Sequence, residues 1–219
     1  MLKIFSHRGF ASKKNQQNKL ESFEKAYQEG LRAIEFDIWY LEDQLFLKHN
    51  RPRNFNNLDH LEDLFLRFKN KVEYWLDFKN LHPRNCDLAI SKVKKIIDDN
   101  QIKPNNLYFA PFITDLNKAK IIYQSIRTHF GNQAQIIAVI EKLLSKDYQK
   151  FYQQLKDLGI YGLSIEHQNI NQKFKDIFFD IRIFAWTVNK QETADLLDKI
   201  GIENIASDNL KPTNDATRK

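Results

Sequence analysis

Ser6-His7-Arg8-Gly9, Asn18-x-x-Glu21, Glu35-Phe36-Asp37, His49 and Asp77-Phe78-Lys79 follow one another in a chain of 219 residues. Two histidines, three carboxylates, an arginine and a lysine gathered in one place could hold a divalent cation and a phosphate. Glu35 and Asp37 are two residues apart, so on a strand both side chains leave the same face. Buried like charges are costly unless a cation neutralises them. The flanking Ala33, Ile34, Phe36, Ile38 and Trp39 make that face hard to keep wet, and a solvated edge is the alternative. Oxygen-only ligands favour Mg2+ or Ca2+ over zinc. Asp77 and Lys79 repeat the spacing with opposite charges. They are either a structural ion pair or a third metal carboxylate beside a cation for a phosphate oxygen. His7 and His49, near carboxylates at successive strand ends, form a plausible acid/base pair, because imidazole titrates near neutral pH. The planar fork of Arg8 suits a phosphate. His60, His82, His129 and His167 have no comparable setting, and Cys86 has no neighbouring base to activate it.

The elements that must position these groups alternate between two periodicities. Strand-like runs are Lys3–Ser6, Ala33–Tyr40, Glu73–Lys79, Leu107–Phe112, Gln135–Ile140, Tyr161–Glu166, Arg182–Val188 and Asn204–Ser207. Several are apolar on both faces, as expected of parallel strands covered on both sides. Leu45–Lys48 follows a turn-like Glu42-Asp43-Gln44 and should pair back as a hairpin. Between the runs lie helical stripes. Asn18 with Glu21 reads as a capping box ahead of Leu20, Phe23, Ala26 and Tyr27, and Gly30 stops that helix. Leu58, Leu61, Phe65 and Phe68 form a second stripe. Tyr148 to Leu158 before Gly159 forms a third, and Ala194, Leu197 and Ile200 before Gly201 a fourth.

Eight strands alternating with helices over about 200 residues predict a TIM-type (β/α)8 barrel of one domain. Active groups in such barrels sit at the carboxyl ends of strands. His7-Arg8 ends the first strand, Glu35 and Asp37 lie on the second, Asp77 and Lys79 end the third, and Trp186 lies near the end of the seventh. Trp186 is either an apolar wall at the mouth or part of the strand packing. An open doubly wound sheet would carry a Gly-rich phosphate loop, and six glycines leave no room for one. No Pro/Gly/Ser-rich linker divides residues 1–210, and 211–219 reads as a disordered tail.

Hydrophobic residues make up 42% and charged residues 28%, ordinary for a soluble domain. A single cysteine excludes an internal disulfide and fits a reducing compartment. No signal-peptide pattern opens the chain, and its longest apolar run, Ile136 to Ile140, is far too short to span a membrane. A cytoplasmic protein is expected. The net charge of +6 reads as a lysine-rich solvated surface or as attraction for anionic partners. Lys92, Lys94 and Lys95, the densest group, lack interleaved aromatics, so nucleic acid is not expected. Nothing in the sequence fixes an oligomeric state.

The ordered set of motifs resembles the glycerophosphodiester phosphodiesterases over nearly the whole chain. The family's strand ending in H-R-G is matched by His7-Arg8-Gly9, and its P-E-N-T helix start by Gln16-Gln17-Asn18-Lys19. Its E-x-D is matched by Glu35 and Asp37, its H-D by His49-Asn50, and its E-x-K by Asp77 and Lys79. W-T-V-N recurs as Trp186-Thr187-Val188-Asn189, and T-D-x-P is echoed by Ser207-Asp208. The chain departs at Gln16 and Gln17, at Asn50, which removes a charge beside His49, and at Asp77, one methylene shorter than glutamate. The connection Arg51–Asn57 is short where many members carry an insertion. The resemblance implies hydrolysis of a glycerophosphodiester to glycerol 3-phosphate and an alcohol, with a small-molecule substrate and a divalent cation. It implies Glu35, Asp37 and Asp77 as metal ligands, His7 and His49 as catalysts, and Arg8, Lys79 and Trp186 against the substrate. The attacking oxygen would be water or a neighbouring glycerol hydroxyl. The departures leave a catalytically impaired phosphodiester- or metal-binding barrel, or a related phospholipase-type phosphodiesterase, as alternatives. A basic interaction protein is a third.

Overall fold

Alternation along one strand sets the plan of the molecule. In β2 (Ala33–Leu41), Ile34, Phe36 and Ile38 point outward and are fully buried, while Ala33, Glu35 and Asp37 point the other way. Outward apolar residues need helices over them, and inward residues need a closed interior. The computed structural model, which describes residues 2–11, 13–112, 115–140 and 148–212, supplies both. The remaining strands are β1 (Lys3–His7), β3 (Gln44–Leu47), β4 (Glu73–Phe78), β5 (Leu107–Pro111), β6 (Gln135–Ile140), β7 (Gly162–Glu166), β8 (Arg182–Trp186) and β9 (Asn204–Ser207). The eight parallel strands run β1-β9-β8-β7-β6-β5-β4-β2, and β1 closes on β2. The short β3 hangs antiparallel on β2, as the turn at Glu42-Asp43 predicts. This is a single-domain TIM-type (β/α)8 barrel.

Helices α1 (Leu20–Gln28), α2 (Leu61–Phe68), α3 (Cys86–Asp99), α4 (Leu116–Phe130), α5 (Tyr148–Asp157), α6 (Gln172–Ile177) and α7 (Gln191–Lys199) surround it. Their apolar stripes form two belts of core with the outward strand residues. Helix α2 begins after Leu58, so that residue lies outside its stripe. Asn18 is not the N-cap of α1. Lys19 holds that position, without a side-chain cap, and Asn18 turns inward with φ 57°. Gly9, with φ 80°, lets the turn after β1 pass close to α1. A Cβ there would lie 2.1 Å from Ser22 Oγ, so only glycine fits.

The barrel interior is closed by aromatic packing. Phe5, Trp75, Tyr108 and Phe184 fill its centre with Ala33, Ala110, Ile137 and Ala206. Phe5 meets Trp75 edge-on at 5.5 Å, and Trp75 meets Phe184 at 5.2 Å. Beneath them, Lys3 Nζ lies 2.6 Å from Glu73 Oε2, which also accepts from Tyr108 Oη. The interior is therefore a plug, and chemistry is confined to its upper end. Of the predicted tail, Lys211 reaches back to Glu29, and 213–219 lies outside the described residues. No described helix is long and apolar enough to cross a membrane.

Candidate active site

Strand register assembles the mouth. His7 lies opposite Glu35 in the β1–β2 pairing, and Asp37 lies opposite Asp77 in the β2–β4 pairing. Three carboxylates thereby reach one spot, each offering an oxygen within 4.8 Å of the others. His7, Arg8, Glu35, His49, Asp77, Lys79 and Trp186 all line one cavity of about 140 Å3, whose lining is completed by Trp75, Phe112, Val139, Ser164 and Ala206. Asp37 lies just beneath them, fully buried, and holds two of the lining cations. The structure thus brings together all eight residues singled out from the sequence.

Asp37 is the hub. Its Oδ2 lies 2.9 Å from Arg8 Nε and accepts from Asn18 Nδ2 at 2.8 Å, while its own backbone N–H donates to Asn18 Oδ1. Its Oδ1 lies 2.7 Å from Lys79 Nζ. Burial alone would raise its pKa, but Lys79, Arg8 and Asn18 outweigh that and hold the carboxyl below its ordinary range. Glu35 and Asp77 shift the other way. Burial pushes both up, and the Asp37 charge adds to it. Lys79 also reaches Asp77 Oδ2 at 2.5 Å, and these two carboxylates outweigh the effect of burial and hold its ammonium charged. When all three carboxylates are ionised, as cation binding requires, they outnumber the two cations by one charge.

A hard divalent cation fits this donor set. All three side chains present oxygen, and Asp77 Oδ1 is buried without a hydrogen-bond partner. Asp37 Oδ1 has Lys79 Nζ at 2.7 Å and no other partner. Orphaned buried carboxylate oxygens call for a cation or an ordered donor.

The histidines have different surroundings. His7 Nδ1 is 2.8 Å from Asp208 Oδ1, and its Nε2 faces Glu35 Oε2 at 3.8 Å. Asn189 Nδ2 donates to Asp208 Oδ2 at 2.7 Å, and the Asp208 backbone N–H donates to Asn189 Oδ1. Burial would raise the Asp208 pKa, but hydrogen bonds from His7 and Asn189 leave it lowered. His49 sits at the open side, with Nδ1 2.9 Å from Asn50 Oδ1. Its backbone oxygen accepts from Trp39 Nε1 at 3.2 Å. Burial lowers its pKa, and Arg8 and Lys79 lower it further against the pull of Asp37.

Asn18 and Asp208 are the site residues that sequence reasoning missed. Each stood inside a recognised motif, but its partner lies 19 or 201 residues away.

No family model matches the chain, and no curated protein sequence matches it. Solved structures do. A glycerophosphodiester phosphodiesterase from Thermotoga maritima superposes with a TM-score of 0.72 at 18% identity, covering 95% of each chain. An Oleispira antarctica phosphodiesterase, solved with the product sn-glycerol-3-phosphate, gives 0.70 at 17%, covering 94% of this chain and 92% of that one. A calcium-dependent phosphoinositol-specific phospholipase C from Pseudomonas sp. gives 0.56 at 12%, covering 94% and 87%. The fold that carries this mouth is therefore the barrel of solved glycerophosphodiester phosphodiesterases.

Proposed function

We propose that the chain is a phosphoric diester hydrolase, cleaving glycerophosphodiesters to glycerol 3-phosphate and an alcohol, with residues 1–210 as its catalytic domain. The observation that supports this best is the composition of the mouth: two histidines, three carboxylates and two cations, with apolar side chains completing the lining. Mg2+ or Ca2+, held by Glu35, Asp37 and Asp77, would supply the positive charge that lets a phosphodiester anion enter.

The chain's own groups divide the remaining work. Arg8 and Lys79 take non-bridging phosphate oxygens. His49, kept neutral by its surroundings, takes the proton from the attacking oxygen. His7, oriented by Asp208 on Nδ1, presents Nε2 to the mouth and donates a proton to the leaving alkoxide. Trp186 borders the non-phosphate part of the substrate. A cytoplasmic setting belongs to the same reading, supported by the lone, buried Cys86.

Comparing kcat/KM for glycerophosphocholine, glycerophosphoethanolamine, glycerophosphoinositol and glycerol 3-phosphate tests this directly. Diesters should turn over within about a thousandfold of one another, because a short Arg51–Asn57 connection leaves the mouth open. The monoester should be a poor substrate, since it carries a second charge and no leaving group for His7. Undiminished turnover in EDTA, or preference for the monoester, overturns the proposal.

The pH profile gives a sharper check on His49. A base works deprotonated, so kcat/KM rises with pH through its pKa, which lies below the ordinary value of 6.5. Asn50→Asp places a carboxylate at Nδ1 and should move the acidic limb upward by about one pH unit. Profiles from pH 4.5 to 8 for both proteins will show it, and coincident acidic limbs would remove His49 from the base role.

A further inference from the structure

Lys79 occupies an unusual position for a residue whose task would be to hold phosphate. Its ammonium lies 2.5 Å from Asp77 Oδ2 and 2.7 Å from Asp37 Oδ1, bridging two of the three carboxylates expected to hold a cation. Those oxygens have few other partners. Asp37 Oδ1 has no partner besides Lys79, and Asp77 Oδ1 has none. Asp37 Oδ2, by contrast, is engaged by Arg8 and Asn18 and needs no further charge. Lys79 Nζ also lies 5.8 Å from the ring of Phe112, which follows the neighbouring strand β5 and lines the same cavity.

We infer that Lys79 is an internal counter-ion that a divalent cation must displace, so that cation loading releases this lysine to the phosphate and the two ligands bind cooperatively. This rests on the cation site proposed above. Without the cation, Lys79 is drawn to Asp37 and Asp77, and the cluster has no surplus positive charge to offer a phosphate. With it, the carboxylates no longer need Lys79, the cluster becomes net positive, and the freed ammonium gains a new partner. Coupling of this kind is reciprocal, so phosphate must tighten the cation by the same factor as the cation tightens phosphate. The Lys79 proton stays on nitrogen throughout; only its partner changes.

The test measures Mn2+ binding by calorimetry, with and without inorganic phosphate, in the wild-type protein, Lys79→Met and Lys79→Arg. In the wild type, phosphate should tighten Mn2+ at least about fivefold, the low end of ordinary coupling. Lys79→Met should bind Mn2+ alone at least about tenfold more tightly than wild type, because its competitor is gone, and should show weaker coupling to phosphate than wild type. Lys79→Arg should keep the competition. Thermal unfolding reads the same exchange without a binding isotherm: Mn2+ should raise the Tm of Lys79→Met more than that of wild type, even if the variant folds poorly in EDTA. Equal or weaker Mn2+ binding by Lys79→Met overturns the inference and leaves the cation site standing. Absence of Mn2+ binding in every protein overturns both.

Discussion

Glu35→Gln will lose at least about a hundredfold in kcat, the scale of one removed electrostatic contact to a reacting centre, yet hold or gain stability in EDTA. Asp37→Ala will lose activity and also about 3–5 kcal/mol of stability, the usual cost of breaking a buried ion pair from one side. The sequence presents these two carboxylates as equals, two like charges on one strand face. Their partners separate them. Glu35 is buried beside Asp37, and both burial and that charge push its carboxyl up. A raised pKa means the folded state favours the protonated form, so any stability from Glu35 is present at acid pH and lost as pH rises through the folded pKa. Gln keeps the shape and removes that loss. Asp37 is held low by Lys79 and Arg8, so its stabilising contribution exists at neutral pH and fades as pH falls. Removing it strands Arg8 and Asn18 and leaves Lys79 with Asp77 alone. Denaturant unfolding in EDTA at several pH values, beside turnover with Mg2+ or Ca2+, measures both effects. Equal destabilisation by the two variants would show that the hub is misassigned.

His7→Ala and His49→Ala should each reduce kcat by at least about a hundredfold, the contribution of a positioned acid or base. The double variant should be little worse than either, because the two act in one chemical sequence. Asp208→Asn should cost about tenfold to a hundredfold in kcat, as loss of an orienting partner does. It leaves His7 in place but removes the carboxylate at Nδ1, so KM should change little. Near-normal turnover in either single histidine variant refutes the pairing.

Much of the fold was legible because it depends on local patterns. Alternation in Ala33–Leu41 says which residues face inward, and apolar stripes such as Leu61, Phe65 and Phe68 say which helix faces cover them. The hairpin strand was legible from Glu42-Asp43. The capping reading of Asn18 failed because N-x-x-E spacing looks the same whether asparagine faces its own helix or a carboxylate on the next strand. Only the arrival of Asp37 beneath the loop decides it. Asp208 was visible as part of a motif but without a task, since its partner His7 comes from the opposite end of the chain and meets it only when β1 pairs with β9. Lys79 was readable as half of an i, i+2 ion pair. Its second partner, Asp37, depends on the β2–β4 register and has no local signature.

The chain contains three tryptophans, and all three lie around the mouth. Trp39 donates its indole N–H to the His49 backbone, while Trp75 and Trp186 line the cavity. Tryptophan emission from this protein therefore comes wholly from the surroundings of one pocket. Entry of a cation or phosphate can be followed optically without attaching a label, and Trp75, stacked edge-on into the aromatic plug, should respond least to solvent and most to its neighbours' charge. The same placement limits such a signal as a gauge of unfolding: it registers loss of the mouth, and melting of α5, α6 or α7 is seen only when the mouth goes with them.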